Sequence, residues 1–548
     1  MEKEELSAHS KTVAKGSFWG LAGTVFIKLI SFVYLVVLAR MAAQDDVGVF
    51  QLALRLVSVI FIFSDLGISG AFIRYIPYFE GKGEKGKIRS LIKISYTYLL
   101  LLSLLIMAVV FLAADFIGDL YQMPKLPEAI RIMSAYLILG GLFRLNYLYL
   151  QGMADIARSQ FFQNLQNFLK LVFTLAFFYL LGASVFTISI AFILSVLVAL
   201  IFSSLTVFRD VRSIPATTQQ LGRKELLEEV IPLGAMIAVL QYFSILIYSS
   251  DSLILGYLTD PSKSAEIVAV YSMATAFGAV LIAFPVAVGG IFLPLISRLA
   301  GKNDMNGVRE IIGTTQRWAM FITLPIGIVL IAFSSELIRI FFGSQYSSGS
   351  LAMSIFTLGV LCNAVTYIIS LTLAALRLVR LELYATAAGG ILNVLFSFLL
   401  IPLLGIEGAA IASLIGFAVT SLFFIHYGKS ILNFKNPPET YTLLIAAFFT
   451  LVLIAILQPY LSSVETTLPQ FGTGDFAFYS SKALYLAYVG ILVTLSFVLF
   501  LLFSLLLKCF RTEDVSLMRR ALERARLPEA LISFAERIAS HGISVPKK

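Results

Sequence analysis

Apolar residues run along most of the 548-residue chain in blocks of about 20, each long enough to cross a hydrocarbon core as a helix. Fourteen blocks are recognisable, at 17–39, 48–73, 94–116, 129–151, 160–181, 185–207, 229–257, 267–296, 315–340, 350–376, 384–404, 408–427, 439–460 and 482–508. Short polar stretches separate them. The pattern predicts an all-α polytopic membrane protein, because a spanning segment must satisfy its own backbone hydrogen bonds. Composition agrees, with 59% of residues hydrophobic, only 13% charged and a mean hydropathy of +0.91.

An even number of crossings puts both termini on one side. Loops on that side carry 17 Lys and Arg against 6 on the other, tails not counted. The imbalance predicts cytoplasmic termini and a multi-pass protein of the cytoplasmic membrane. It also accounts for the net charge of +9 and the pI near 9.3 without a nucleic-acid partner. The opening "MEKEELSAHSKTVAKGS" is too polar for a cleavable signal peptide, so the first crossing is read as retained.

Soluble-enzyme chemistry finds little support. "FEGKGEKGKIRSLIK" at 79–93 holds a G-x-G-x-x-G spacing and falls near a P-loop. A P-loop needs a strand before it and Ser or Thr after its Lys, whereas a membrane helix precedes this stretch and Ile88 follows Lys87. It reads as a flexible connection. Cys362, Cys509, His9, His426 and His541 are too scattered for a disulfide framework or a metal cluster. Neither a cofactor nor an enzymatic activity is expected.

The same stretch has an internal counterpart. "GAFIRYIPYFEGKGEKGKIRSLI" from Gly70 aligns without gaps on "GIFLPLISRLAGKNDMNGVREII" from Gly290, an offset of 220. "VGVFQLA" at Val47 and "VAVYSMA" at Val268 repeat it within one residue. Crossings 1–6 and 7–12 therefore read as two six-helix lobes, residues 1–207 and 229–428, joined by a polar cytoplasmic linker at 208–228. Two extra crossings fill 429–510, and 511–548 reads as a basic amphipathic tail on the inner membrane surface. Parallel repeats of this kind are a transporter architecture.

Three segments, "SFWGLAGTVFIKLISFVYLVVLAR", "DDVGVFQLA" and "LLGIEGAAIASLIGF", resemble the polysaccharide-transporter branch, the Wzx-type oligosaccharide flippases, of the multidrug/oligosaccharidyl-lipid/polysaccharide (MOP) exporter superfamily, over residues 10 to about 430. The resemblance implies a V-shaped pair of bundles that moves a polyprenyl diphosphate-linked glycan by alternating access, for cell-surface polysaccharide or glycan assembly. It also implies contact with membrane lipids and makes other glycan-assembly membrane proteins candidate partners. Fourteen helices likewise resemble lipid II flippases, whose last two helices form a groove for a lipid tail. Those flippases carry an arginine on crossing 8, and "IVAVYSMATAFGAVLIAFPVAVGGIF" has none. A cation-coupled multidrug exporter and a non-transporting scaffold of the same fold are the alternatives.

A charge at a helix centre costs about 2.5–3.5 kcal/mol on insertion scales, so such groups face a cavity or a partner. The first lobe places Lys28, Arg55, Arg144 and Lys170 at membrane depth, with Asp65 the main acid among them. On crossing 5, Gln160, Gln163, Asn164, Asn167 and Lys170 recur at three- and four-residue spacing and share one helix face. Surplus cations beside amides suit a diphosphate, which makes Lys28, Arg55, Arg144, Lys170, Gln163 and Asn167 the candidate substrate contacts. A drug exporter for organic cations would prefer acidic or neutral walls. The structural alternative pairs Arg55 or Arg144 with Asp65 as glue between helices.

The second lobe reads as nearly charge-free inside, apart from Asp251. In its polar "SSDS" setting Asp251 reads as a wetted helix-end residue, with a cation or proton site as the alternative; with Asp65 it is the candidate for coupling or pairing. Pro285, Gly289, Gly290 and Pro294 on crossing 8, and Gly16, Gly20 and Gly23 on crossing 1, lie where rocking would need bending, with close helix packing as the alternative reading.

Overall fold

The computed structural model describes residues 2–214, 221–222, 224, 228, 231–467 and 475–511, with isolated positions between 514 and 540. Among these residues the first lobe is built from α1 (Glu2–Met41), α2 (Gln44–Asp65), α3 (Ile68–Gly81), α4 (Lys85–Leu112), α5 (Ala114–Tyr121), α6 (Leu126–Ser134), α7 (Tyr136–Gly152), α8 (Ile156–Leu181) and α9 (Val185–Ser213). The second lobe comprises α10 (Ile231–Leu258), α11 (Ser264–Leu281), α12 (Ala283–Gly301), α13 (Met305–Ala332), α14 (Ser334–Phe341), α15 (Ser350–Ala375), α16 (Val379–Leu404) and α17 (Ile406–Ser430). Beyond it lie α18 (Pro438–Thr467) and α19 (Asp475–Leu506).

Among the described residues, thirteen segments are long and apolar enough to cross a membrane. A further crossing, the eighth, is made by α11 and α12, which meet at Ile282 with the backbone still helical (φ −69°, ψ −17°). Pro285 explains the joint, since it lacks an N–H and its ring crowds the carbonyl of Leu281. Crossing 2 breaks more sharply, where Leu66 and Gly67 both take positive φ (41° and 77°). The stretch 79–93 is helical except at 82–84, where Gly83 supplies the left-handed turn (φ 73°). A helix, not a strand, leads into it. Crossing 6 runs on to Ser213, six residues past its expected end. About half of the linker and most of the tail from 512 lie outside the described residues.

The repeat is written into the helix bounds. Gln44/Ser264, Gly81/Gly301, Lys85/Met305, Leu112/Ala332, Ala114/Ser334 and Tyr121/Phe341 are ends separated by 220 (264 − 44). Gly152/Ala375, Ile156/Val379 and Leu181/Leu404 follow at 223 (375 − 152). Neighbours repeat too: crossing 5 packs on 1 and 6 as crossing 11 packs on 7 and 12, and crossing 4 packs on 2, 3 and 6 as crossing 10 packs on 8, 9 and 12. Crossing 13 rests on crossing 9 outside both lobes, and crossing 14 lies against 13 and 9.

The lobes touch along crossing 2, which packs on crossings 7 and 8. A Cβ on Gly48 would stand 1.7 Å from the Ala265 carbonyl oxygen, and one on Gly67 would stand 1.7 Å from that of Gly234. Only glycine permits such contact. On the face opposite the interlobe linker, Arg40 at the end of α1 closes the gap. Its guanidinium donates to the carbonyls of Arg339 (2.9 Å), Ile340 (2.5 Å) and Phe341 (3.0 Å), the unpaired C-terminal carbonyls of α14. Beneath it Phe32 of the first lobe sits 5.1–5.7 Å from the rings of Phe277, Phe341 and Phe342 of the second.

This lock generates an expected outcome. With Cys362 and Cys509 replaced by Ser, a cysteine at the buried position Ala274 should react severalfold faster with a membrane-impermeant maleimide when Arg40→Ala is added. Equal rates would show that the guanidinium does not hold this face shut.

Candidate functional site

Crossing 5 brings its amide stripe to two surfaces at once. Toward crossing 1, Gln160 packs on Gly23, and the Asn167 Oδ1 accepts from Ser31 Oγ (3.2 Å) and from Lys170 Nζ (3.1 Å). The Lys170 ammonium lies 4.5 Å from the centre of the Tyr34 ring and is buried. Toward the lobe interior, Gln163, Gln166, Asn167 and Lys170 line a cavity of about 450 Å³, closed on the other sides by Arg144, Tyr136 and Tyr147 of crossing 4, Phe61 of crossing 2 and Ile245 of crossing 7. Gln166 was not singled out by sequence reasoning, although it stands between two residues that were.

Arg144 crosses from this cavity to the second lobe. Its Nη2 donates to Gln241 Oε1 of α10 at 2.9 Å, its guanidinium stands 5.8 Å from the Phe61 ring, and its buried Nε has no acceptor. Arg55 behaves alike without lining the cavity: Nη1 donates to the Tyr248 carbonyl, also on α10, at 2.9 Å. Lys28 is half-buried beside Ile27, which does line the cavity, and is not itself a lining residue. The structure thus gathers Arg144, Lys170, Gln163 and Asn167, sets Arg55 at the lobe interface and leaves Lys28 apart.

Asp65 does not pair with these cations. It is 2% exposed, and its two carboxylate oxygens accept from the backbone N–H (3.2 Å) and hydroxyl (2.7 Å) of Ser69, holding the first turn of α3 after the break at Leu66 and Gly67. Local backbone geometry, not charge, decides its partner.

Asp251 corrects the expectation of a wetted helix end, being 1% exposed. Helix α10 continues seven residues past it to Leu258, so it lies inside the bundle. Its carboxylate accepts from Tyr271 Oη of crossing 8, from Ser413 Oγ of crossing 12 (2.7 Å) and from the Ser252 N–H (2.7 Å). Asn393 of crossing 11 donates to Ser413 Oγ (3.2 Å) and accepts from Ser250 Oγ (2.7 Å), completing a buried network across four crossings. Those donors come from up to 162 residues away, so no local pattern announces them. The nearly charge-free second lobe is a second correction: Arg317, 3% exposed on α13, pairs with Asp514 of the tail at 3.3 Å, and Glu382 of α16 accepts from Ser370 Oγ at 3.0 Å. Arg317 lay inside a predicted span, and its intramembrane charge was the signal.

This helical arrangement is similar to that of solved membrane transporters. A solved lipid II flippase in an inward-closed conformation matches with a TM-score of 0.66 at 15% identity, over 88% of this chain and 97% of that one. An inward-facing multidrug transporter of the MOP superfamily matches with a TM-score of 0.61 at 15% identity, over 75% of this chain and 94% of that one. Among curated relatives, an uncharacterized membrane protein of Methanocaldococcus jannaschii is 22% identical over 86% of this chain and 95% of its own length. A probable low-salt glycan biosynthesis flippase of Haloferax volcanii, Agl15, is 29% identical over 31% of this chain and 36% of its own. Residues 37–351 match the family described as polysaccharide biosynthesis protein. The chain belongs to that family.

The capping role of Asp65 can be tested by thermal unfolding in detergent. Asp65→Asn keeps an acceptor for Ser69 and should cost under about 1 kcal/mol, whereas Asp65→Ala should cost about 1–2 kcal/mol. A loss of about 3–5 kcal/mol in both variants would instead mark a buried ion pair.

Proposed function

We propose that the protein is a flippase that carries a polyprenyl diphosphate-linked oligosaccharide across the cytoplasmic membrane by alternating access, with both termini in the cytoplasm. The observation that carries this reading is the first-lobe cavity, where among the described residues Arg144 and Lys170 meet neutral acceptors, Gln241 and Asn167, and Arg144 keeps a buried Nε–H without an acceptor. Diphosphate oxygens would take charge-assisted bonds from both cations, and the guanidinium fork suits a bidentate anion. Gln163, Gln166 and the hydroxyls of Tyr136 and Tyr147 would serve sugar hydroxyls beside it.

The lipid tail needs a different surface. An apolar groove of about 450 Å³ runs between crossings 9, 10, 12 and 13, walled by Leu324, Leu361, Ile425, Phe448 and Leu451. A polyprenyl chain lying there would stay in an apolar setting while its head group crosses. Asp251 is the candidate coupling group, a buried carboxylate held by hydroxyls and a backbone N–H, which a cation or proton could join. A drug exporter for organic cations fits a cationic cavity less well, since like charges repel there. The partial likeness to a glycan biosynthesis flippase supports the same choice.

Arg144→Gln and Lys170→Gln should each lower glycan export about tenfold or more, the loss of one charge-assisted hydrogen bond, while purified protein unfolds within a few degrees of wild type. Full export in either variant would remove that residue from the substrate path. A fall in unfolding temperature matching the fall in export would make the cations structural.

A further inference from the structure

Helix α10 is tied to the first lobe by two guanidinium groups. Arg144 holds the Gln241 side chain and Arg55 holds the Tyr248 carbonyl, each at 2.9 Å. Gln241 and Tyr248 lie seven residues apart, two turns of one helix face, and Ile245 between them lines the first-lobe cavity. The helix therefore lays one stripe against the substrate cations. We infer that Gln241 is a positioning residue that holds Arg144 across the lobe interface and yields it to the incoming diphosphate, so that substrate arrival loosens α10 from the first lobe.

The chemistry sets the direction of exchange. An amide oxygen is a neutral acceptor and takes a single N–H, whereas a diphosphate offers charged oxygens that can engage two donors of one guanidinium. Arg144 already has the second donor in place, the buried Nε–H that meets no acceptor. A ligand can shift a conformational equilibrium only by its differential affinity for the two states, and displacing Gln241 supplies that difference. The same helix carries Asp251 three residues past Tyr248, bonded to Tyr271 and Ser413 of the second lobe. Motion of α10 would therefore register at the buried carboxylate, and by reciprocity an ion held there would alter the affinity of the diphosphate site.

The inference rests on the reading of Arg144 as a substrate cation, and one set of variants separates the two. Binding of inorganic diphosphate to purified full-length protein in detergent is measured by calorimetry, alongside glycan export in cells. Removing the competing acceptor with Gln241→Leu should tighten diphosphate binding about three- to tenfold, the net worth of one hydrogen bond, while export falls because binding no longer frees the helix. Gln241→Glu should weaken binding at least tenfold, since a carboxylate competes for Arg144 far better than an amide. Gln241→Ala, a smaller change at the same contact, should repeat the tightening and serves where the Leu variant fails to fold. A purely structural role for Gln241 would lower export without raising affinity. If neither apolar variant binds diphosphate more tightly than wild type while Arg144→Gln abolishes binding, the inference is overturned and the site reading stands. If Arg144→Gln binds as wild type does, the site reading fails and this inference with it.

Discussion

A charged side chain within the hydrocarbon must be answered by groups of the protein or of a wet cavity, because lipid tails offer it nothing. The two lobes answer differently. In the first, Arg55, Arg144 and Lys170 donate to a carbonyl and two amides, with no direct carboxylate partner among the described residues. In the second, Asp251 accepts hydrogen bonds from two hydroxyls and a backbone N–H, and no ion pair joins it directly among the described residues. Arg317, by contrast, is neutralised by Asp514 where the tail meets crossing 9. Carboxylate pairing is thus available to this protein, and the cavity cations are held without it.

The backbone treats the lobes as copies while the side chains do not. Helix ends recur at 220 and then 223 residues, and left-handed turns recur with them, at Gly83 and Asn303, Ala154 and Arg377, and Gly182 and Gly405. A shared scaffold thus carries unlike polar side chains in its two halves. Crossing 7 touches both, offering Gln241 and Tyr248 to the cations and Asp251 to its own lobe. This helix thus contacts both the first-lobe cations and the second-lobe network.

Crossings were legible in the sequence because hydrophobic length is a one-dimensional property. Lobe equivalence showed through the Gly70 and Gly290 segments, since turn glycines and lysines keep their spacing even where apolar residues drift. Four candidate contacts, Arg144, Lys170, Gln163 and Asn167, converge on one cavity, because a stripe at helical spacing must face a common direction. Partner choice was not legible. The structural alternative paired Asp65 with Arg55 or Arg144, yet the break at Leu66 and Gly67 turns its carboxylate onto Ser69, and no charge count contains a backbone break. Asp251 looked wet because its sequence neighbours are serines, whereas its hydrogen bonds come from crossings 8 and 12.

Neutral acceptors around cavity cations bear on how a large anion could be handled. A carboxylate would hold Arg144 by a full ion pair, and an incoming diphosphate would have to break it at a cost near its own gain. An amide is displaced at much smaller cost, so on the flippase reading Arg144 could pass from Gln241 to an incoming anion. Its volume of about 450 Å³ is in the range of small-molecule sites and suits a diphosphate with part of one sugar, not a whole oligosaccharide. On the flippase reading, the remaining sugars must occupy space that opens only as the lobes part, past the Gly48 and Gly67 contacts and the Arg40 lock. The prenyl chain meanwhile has the groove beside crossing 13. One substrate would then be divided among a charged cavity, a transient wet cleft and an apolar flank. The charged cavity is the part common to every glycan on such a carrier, so head-group chemistry, more than sugar identity, would decide what this molecule moves.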